Sequence, residues 1–231
     1  MIHANCRARL TADDFDFVVG VLGKSEKNRA SLATLLADEE ERDRVLDCEG
    51  LSQAILDDPE RLGISPQFMF YVLCRKVLRS TSVQSREAAD FVASMLENFQ
   101  RTSSLERPKD LGQRSWQYMT DMMQALEKAN THESFLLRSH IANYSLFTSG
   151  MFAENLVART HRRGAPDLKF YEEMGRMNYR AAAEYREAKK FNLQRIYEEL
   201  SDGFHEVRVA LNDLAIRLLH LDSQPQGPLL A

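Results

Sequence analysis

The chain has 231 residues, 44% hydrophobic and 28% charged, a balance that suits a soluble globular protein and excludes a low-complexity or disordered one. A formal net charge of −4 argues against a general nucleic-acid binder, which needs a concentrated positive face. No apolar run approaches the roughly 18 residues of a membrane span, and 10 glycines with 6 prolines favour long helices over strands and tight turns.

The predicted elements are helices throughout. Thr11 precedes Ala12, Asp13 and Asp14, an N-cap with acids in the first turn, and the helix runs to about Gly23. Ser25 caps a second helix whose face includes Leu32, Leu35 and Leu36. Short helices follow over residues 39–46 and 51–56. In "SPQFMFYVLCRKVLRS", Ser65 is the cap and Pro66 takes the first helical position, where its missing N–H costs nothing. This helix is apolar on most sides from Phe68 to Leu78 and is expected to be central. Another spans residues 85–100, with Phe91, Met95 and Phe99 four apart. "RTSSLERPKDLGQ" breaks the pattern. Three longer helices are expected beyond it, over 115–129, 131–161 and 167–221, the last interrupted near Ala188. No stretch alternates as a strand does.

The expectation is an all-α, multi-helix bundle with short N-terminal helices and three or four long C-terminal ones. It divides into an N-terminal helical region (1–101), a loop or hinge (102–114), a C-terminal long-helix bundle (115–222) forming one compact domain with the first region, and a loose tail (223–231).

Cys6, Cys48 and Cys74 are widely spaced and make no CxxC pair. Cys74, in "FMFYVLCRKVL", reads as a small buried hydrophobe. An odd cysteine count without a secretory apolar region at the N-terminus leads us to expect a reducing cytoplasm. The acidic "ADEEERDRVLDCEG" and the basic "RTHRRG" read first as solvated surfaces, with a partner-binding patch as the sharper reading of either.

The longest pattern lies near the C-terminus. Leu193, Leu200, Val207, Leu214 and Leu221 recur every seven residues, with Tyr197, Phe204, Leu211 and Leu218 between them, the seam of a left-handed helix packing. The phase runs unbroken across "SDGF", so Gly203 is expected inside a continuous helix. The seam packs within the chain or builds a homodimer; self-association through Leu193, Tyr197, Leu200, Phe204, Val207, Leu211, Leu214 and Leu218 is the expectation for at least part of it.

"HIANYSLFTSGMFAENL" carries polar residues on an apolar stripe, as does "FYEEMGRMNYRAAAEY". Antiparallel packing would let His140, Tyr144 and Asn178 meet. His140, Asn143, Tyr144, Tyr171, Asn178 and Tyr179 are therefore the ligand-pocket candidates. A bridged metal pair is disfavoured, because no Glu-x-x-His occurs and His140 and Glu154 lie about 21 Å apart along a helix. Haem ligation would need only one His, with His140 the best placed, but a satisfied core histidine is the simpler reading. There is no G-x-S-x-G elbow, no phosphate-binding G-x-x-x-x-G-K-S/T and no dinucleotide fingerprint. No metal, cofactor, nucleic acid or membrane is expected. Two functions remain: a helical protein acting through association with itself or another protein, in a scaffold or regulatory role, and a bundle binding a small ligand or cofactor between its C-terminal helices. Whether the protein is an enzyme stays open. Gly150 and Gly175 each mark a close helix approach, and for Gly150 a kink is the alternative.

Overall fold

The computed structural model describes residues 1–57, 63–100 and 119–222. The expected hinge, the start of the helix expected at residue 115 and the tail lie outside them. The described residues are all-α: a 3-10 turn at Arg7–Arg9, then α1 (Ala12–Leu22), α2 (Glu26–Ala37), α3 (Glu39–Leu46), α4 (Glu49–Asp57), α5 (Pro66–Leu78), α6 (Arg86–Phe99), α7 (Met119–Glu127), α8 (Thr131–Met151), α9 (Ala153–Arg163), α10 (Leu168–Ala183), α11 (Arg186–Lys190), α12 (Gln194–Asp202) and α13 (Phe204–Asp222). None is long and apolar enough to cross a membrane.

The predicted caps form. Thr11 and Asp14 make a capping box, and Ser65 Oγ accepts from the Phe68 amide at 3.2 Å ahead of Pro66. The two caps also share a group. The fully buried Asp14 carboxylate accepts from the Ser65 amide at 2.7 Å and the Ser65 hydroxyl at 2.8 Å, pinning the start of α1 to the start of α5. Its lost hydration is thus replaced by hydrogen bonds, the condition for burying a charge.

The apolar α5 and α6 form a hairpin at the centre of the N-terminal half. Phe68, Tyr71, Cys74 and Leu78 on the first, and Ala88, Phe91, Val92 and Met95 on the second, are fully buried. In the other half α8 is the axis. From Phe135 to Gly150 only Arg138, Tyr144 and Thr148 escape full burial. Burial on nearly every side explains why its sequence shows two overlapping stripes rather than one clean face. Buried residues from both halves, Cys6 through Leu214, form one contiguous core cluster.

Two expected helices, 131–161 and 167–221, are more divided than the sequence suggests. The 131–161 helix breaks at Phe152, two residues past Gly150. The expected interruption near Ala188 is the short α11, closed by Asn192 at φ 56°, a left-handed conformation asparagine tolerates better than most residues. The heptad seam is not one helix: it splits at Gly203 into α12 and α13. The Gly203 amide still bonds the Glu199 carbonyl at 2.9 Å and its carbonyl accepts from Val207 at 3.0 Å, so the apolar phase survives. The glycine itself has a steric reason. A side chain at 203 would overlap Val83 and Ser82 of the α5–α6 connection.

The seam packs inward. Leu193, Tyr197, Leu200, Phe204, Val207, Leu211 and Leu214 are buried in the chain's own core, and Leu218 is half-buried against it. Two glycines receive it. Cβ at Gly150 would stand 2.9 Å from Leu211 Cβ, and at Gly175 it would overlap the Phe204 ring. Close approach is therefore the role of both, and at Gly150 the helix break follows rather than replaces it.

Candidate functional site

α8 and α10 run antiparallel: Arg138 meets Asn178 and Tyr144 faces Tyr171, one number rising as the other falls. This brings the six pocket candidates into one region but pairs them differently from the expectation. Tyr179 Oη donates to Asn143 Oδ1 at 2.7 Å, with both residues buried. Asn178 Oδ1 accepts from Arg138 Nη1 at 3.2 Å, while its Nδ2 donates to the Met174 carbonyl at 2.9 Å. The amide of Asn178 is thus used on both sides, and its partners are not His140 and Tyr144. His140 is buried, edge-on to Phe99 at 5.9 Å and beside Tyr144 at 6.5 Å.

The chemistry of this cluster is restrained. Burial raises Tyr171 and pushes Tyr179 well above the ordinary tyrosine range, so both hold their protons near neutral pH. The hydroxyls of Ser139 and Ser149 return to helix carbonyls at Phe135 (2.9 Å) and Ser145 (2.6 Å). Most polar atoms seen on the apolar stripes are spent inside the bundle. Among the described residues no group of three His, Cys, Asp or Glu side chains is placed to hold a metal. Cys6 and Cys74 are buried, and burial pushes the Cys6 thiol up to about 11, away from thiolate chemistry.

Of the six candidates, Tyr144 lines a cavity. A groove of about 420 Å³ runs between the C-terminal part of α8 and α9, lined by Tyr144, Phe147, Thr148, Phe152, Asn155, Leu156, Arg159 and Arg162. The break at Phe152 builds it: the chain turns as α8 ends, and α9 leaves the core with Leu156 as its inner anchor. Phe152, just past the end of α8, is 46% exposed yet edge-on to Phe147 at 5.5 Å. Phe147 contacts Phe99 at 5.3 Å, so an aromatic series runs from the protein interior to this surface. Arg159 and Arg162 stand along the groove without a carboxylate partner among the described residues, Arg162 donating only to the Ala158 carbonyl. The "RTHRRG" run signals this bank in the sequence. Phe152 gave no signal, since it continues an apolar stripe until the helix breaks.

A second charged region had no sequence signal, because its partners lie far apart in the chain. Arg7 pairs with Asp43 at 2.7 Å and, more loosely, with Asp90 at 3.5 Å; Arg75 and Arg86 converge on Asp47 at 2.8 and 2.9 Å. Part of the acidic run is therefore internal clamp rather than solvated surface. Burial pushes Asp47 up, but hydrogen bonds and charge from Arg75 and Arg86 outweigh it and hold the carboxylate below its ordinary range. A cavity of about 350 Å³ lies beside this clamp, lined in part by Asp47, Arg75, Lys76 and Arg79. Arg75 is matched by Asp47 and Lys76 by Glu49 at 3.6 Å, while Arg79 donates to the Asp47 carbonyl.

Comparison with protein-family models, curated proteins and solved structures finds no match to this chain.

Proposed function

We propose that the protein works by association with another protein, in a scaffold or regulatory role, and that the α8–α9 groove is its contact surface. One observation carries this reading: Phe152, a large aromatic side chain, is nearly half exposed in an apolar groove flanked by Arg159 and Arg162, which have no carboxylate partner among the described residues. Exposed aromatic surface costs solvation free energy, and in a folded protein a rimmed apolar patch marks a binding surface more often than chance. The inward spending of Asn143, Asn178 and Tyr179 supports association over catalysis. For the ligand-pocket alternative, Tyr144 stands at the wall of a cavity formed by the described residues. Association through the heptad seam draws no support from residues already buried in the chain's own core. A reducing cytoplasm fits exposed Cys48 remaining a free thiol.

The test is the size of the tagged protein in extracts of its own cells. Wild type is expected to elute in a complex well above the 26.5 kDa of one chain, and Phe152→Ser to shift toward that mass with an unchanged melting temperature. Elution of wild type as a single chain would remove the proposal.

A further inference from the structure

We infer that the occupant of the α8–α9 groove is an amphipathic helix with acidic residues along its polar edge, presented by a protein other than this one. The inference rests on the association reading above and gives it a partner chemistry. Shape is the first support. Phe152 and Arg162 are ten residues apart, so the bank of the groove extends about 15 Å along α9, nearly three turns of a helix laid beside it. The groove is open to solvent on one side, which suits a helix in a trough better than a small molecule that needs enclosure. The bed is the second support. Phe152 and the half-buried Tyr144, backed by the buried Phe147 and Leu156, offer apolar surface to the anchor residues of a docked helix.

Charge is the third support, and it decides the partner's chemistry. Arg159 and Arg162 lie three residues apart, on neighbouring turns of one face, and neither has an ion-pair partner among the described residues. Arg75 and Arg86, by contrast, are matched by Asp47, and Arg7 by Asp43. A docked acidic edge would give Arg159 and Arg162 charge-assisted hydrogen bonds and steer the encounter. Within the chain's own acidic run Asp43 and Asp47 are turned inward onto arginines while Glu39 and Glu40 stay exposed, so self-association is an outcome that the binding experiment separates.

The experiment uses the full chain and two labelled synthetic helical peptides, each with Leu and Phe anchors at i, i+3, i+4 and i+7. One carries Glu on its flanks and the other Lys, and binding is read by fluorescence anisotropy. The acidic peptide is expected to bind at least tenfold more tightly, and to weaken as salt rises. The double variant Arg159→Glu/Arg162→Glu is expected to reverse the preference, and Phe152→Ala to weaken both peptides. All three residues are surface-exposed or half-exposed, and an unchanged melting temperature confirms that the variants fold. Equal binding of the two peptides, or a preference that survives the charge reversal, overturns the inference. So does a homo-oligomer of the purified chain at micromolar concentration that the double variant dissolves. If the peptides show no preference while the complex in extracts still depends on Phe152, the acidic helix fails and the association reading stands. If extracts contain no complex, the association reading itself fails.

Discussion

Gly175 and Gly20 are both helical glycines, and their surroundings give opposite consequences for the same substitution. A methyl at Gly175 would overlap the Phe204 ring, whereas one at Gly20 meets nothing within 4 Å. Gly175→Ala is expected to destabilise by about 1–3 kcal/mol through overpacking, and Gly20→Ala to stabilise by about 0.5–1 kcal/mol through helix propensity. Thermal melts check both: for a chain of this size each kcal/mol moves the midpoint by about 2–4 °C. Gly150→Leu belongs with Gly175, because Leu211 already stands against that backbone. A hydrogen bond gives a third case. Tyr179→Phe leaves the buried Asn143 carbonyl oxygen without its donor, an expected loss of about 1–3 kcal/mol in denaturant titration. The sequence disclosed that Gly150 and Gly175 were special, since each interrupts bulky neighbours. It did not disclose Leu211 or Phe204 as the groups they admit, because those lie on a helix reached only through tertiary packing.

Element boundaries show how local the legible information is. Caps at Thr11, Ser25 and Ser65 act within three residues of themselves, and all three bond as their sequence context suggests. Helix breaks at Phe152 and Gly203 were not legible. At Gly203 the requirement for glycine is set by Val83 and Ser82, residues of a distant connection, while the apolar phase on which a continuous helix was expected is preserved. The clamp of α3 to α5 and α6 through Asp47 has the same distant character. Because Asp47 is held below its ordinary value of 3.8 in the folded state, it contributes stability above that pH and loses it as pH falls through the folded value. Asp47→Asn is expected to cost on the order of 2 kcal/mol at neutral pH, less than a fully buried pair because the carboxylate keeps some solvent contact. The gap between wild type and variant should narrow well below pH 3.8, as urea unfolding at both pH values would show. A gap independent of pH would mean the clamp does not act through its charge.

At the scale of the whole molecule, one core joins both halves and consumes most of what looked like chemistry in the sequence. Hydrophobic periodicity identified the helices that carry the candidate residues, and antiparallel packing of α8 on α10 was the condition set for their meeting. The groove was legible only in its arginines, because an exposed Phe152 and a core phenylalanine look alike until the helix break places one of them outside. The proposed association therefore turns on a surface the fold creates late, at the end of α8, rather than on the polar interior. The most direct measurement places a photoreactive phenylalanine at position 152 in cells, with the same residue at Met177, an apolar side chain 61% exposed on α10, as the control. Association through the groove gives a discrete crosslinked partner from position 152 and none from position 177. Absence of a crosslink at 152, or the same products from both positions, would contradict the claim that this groove is the protein's contact surface.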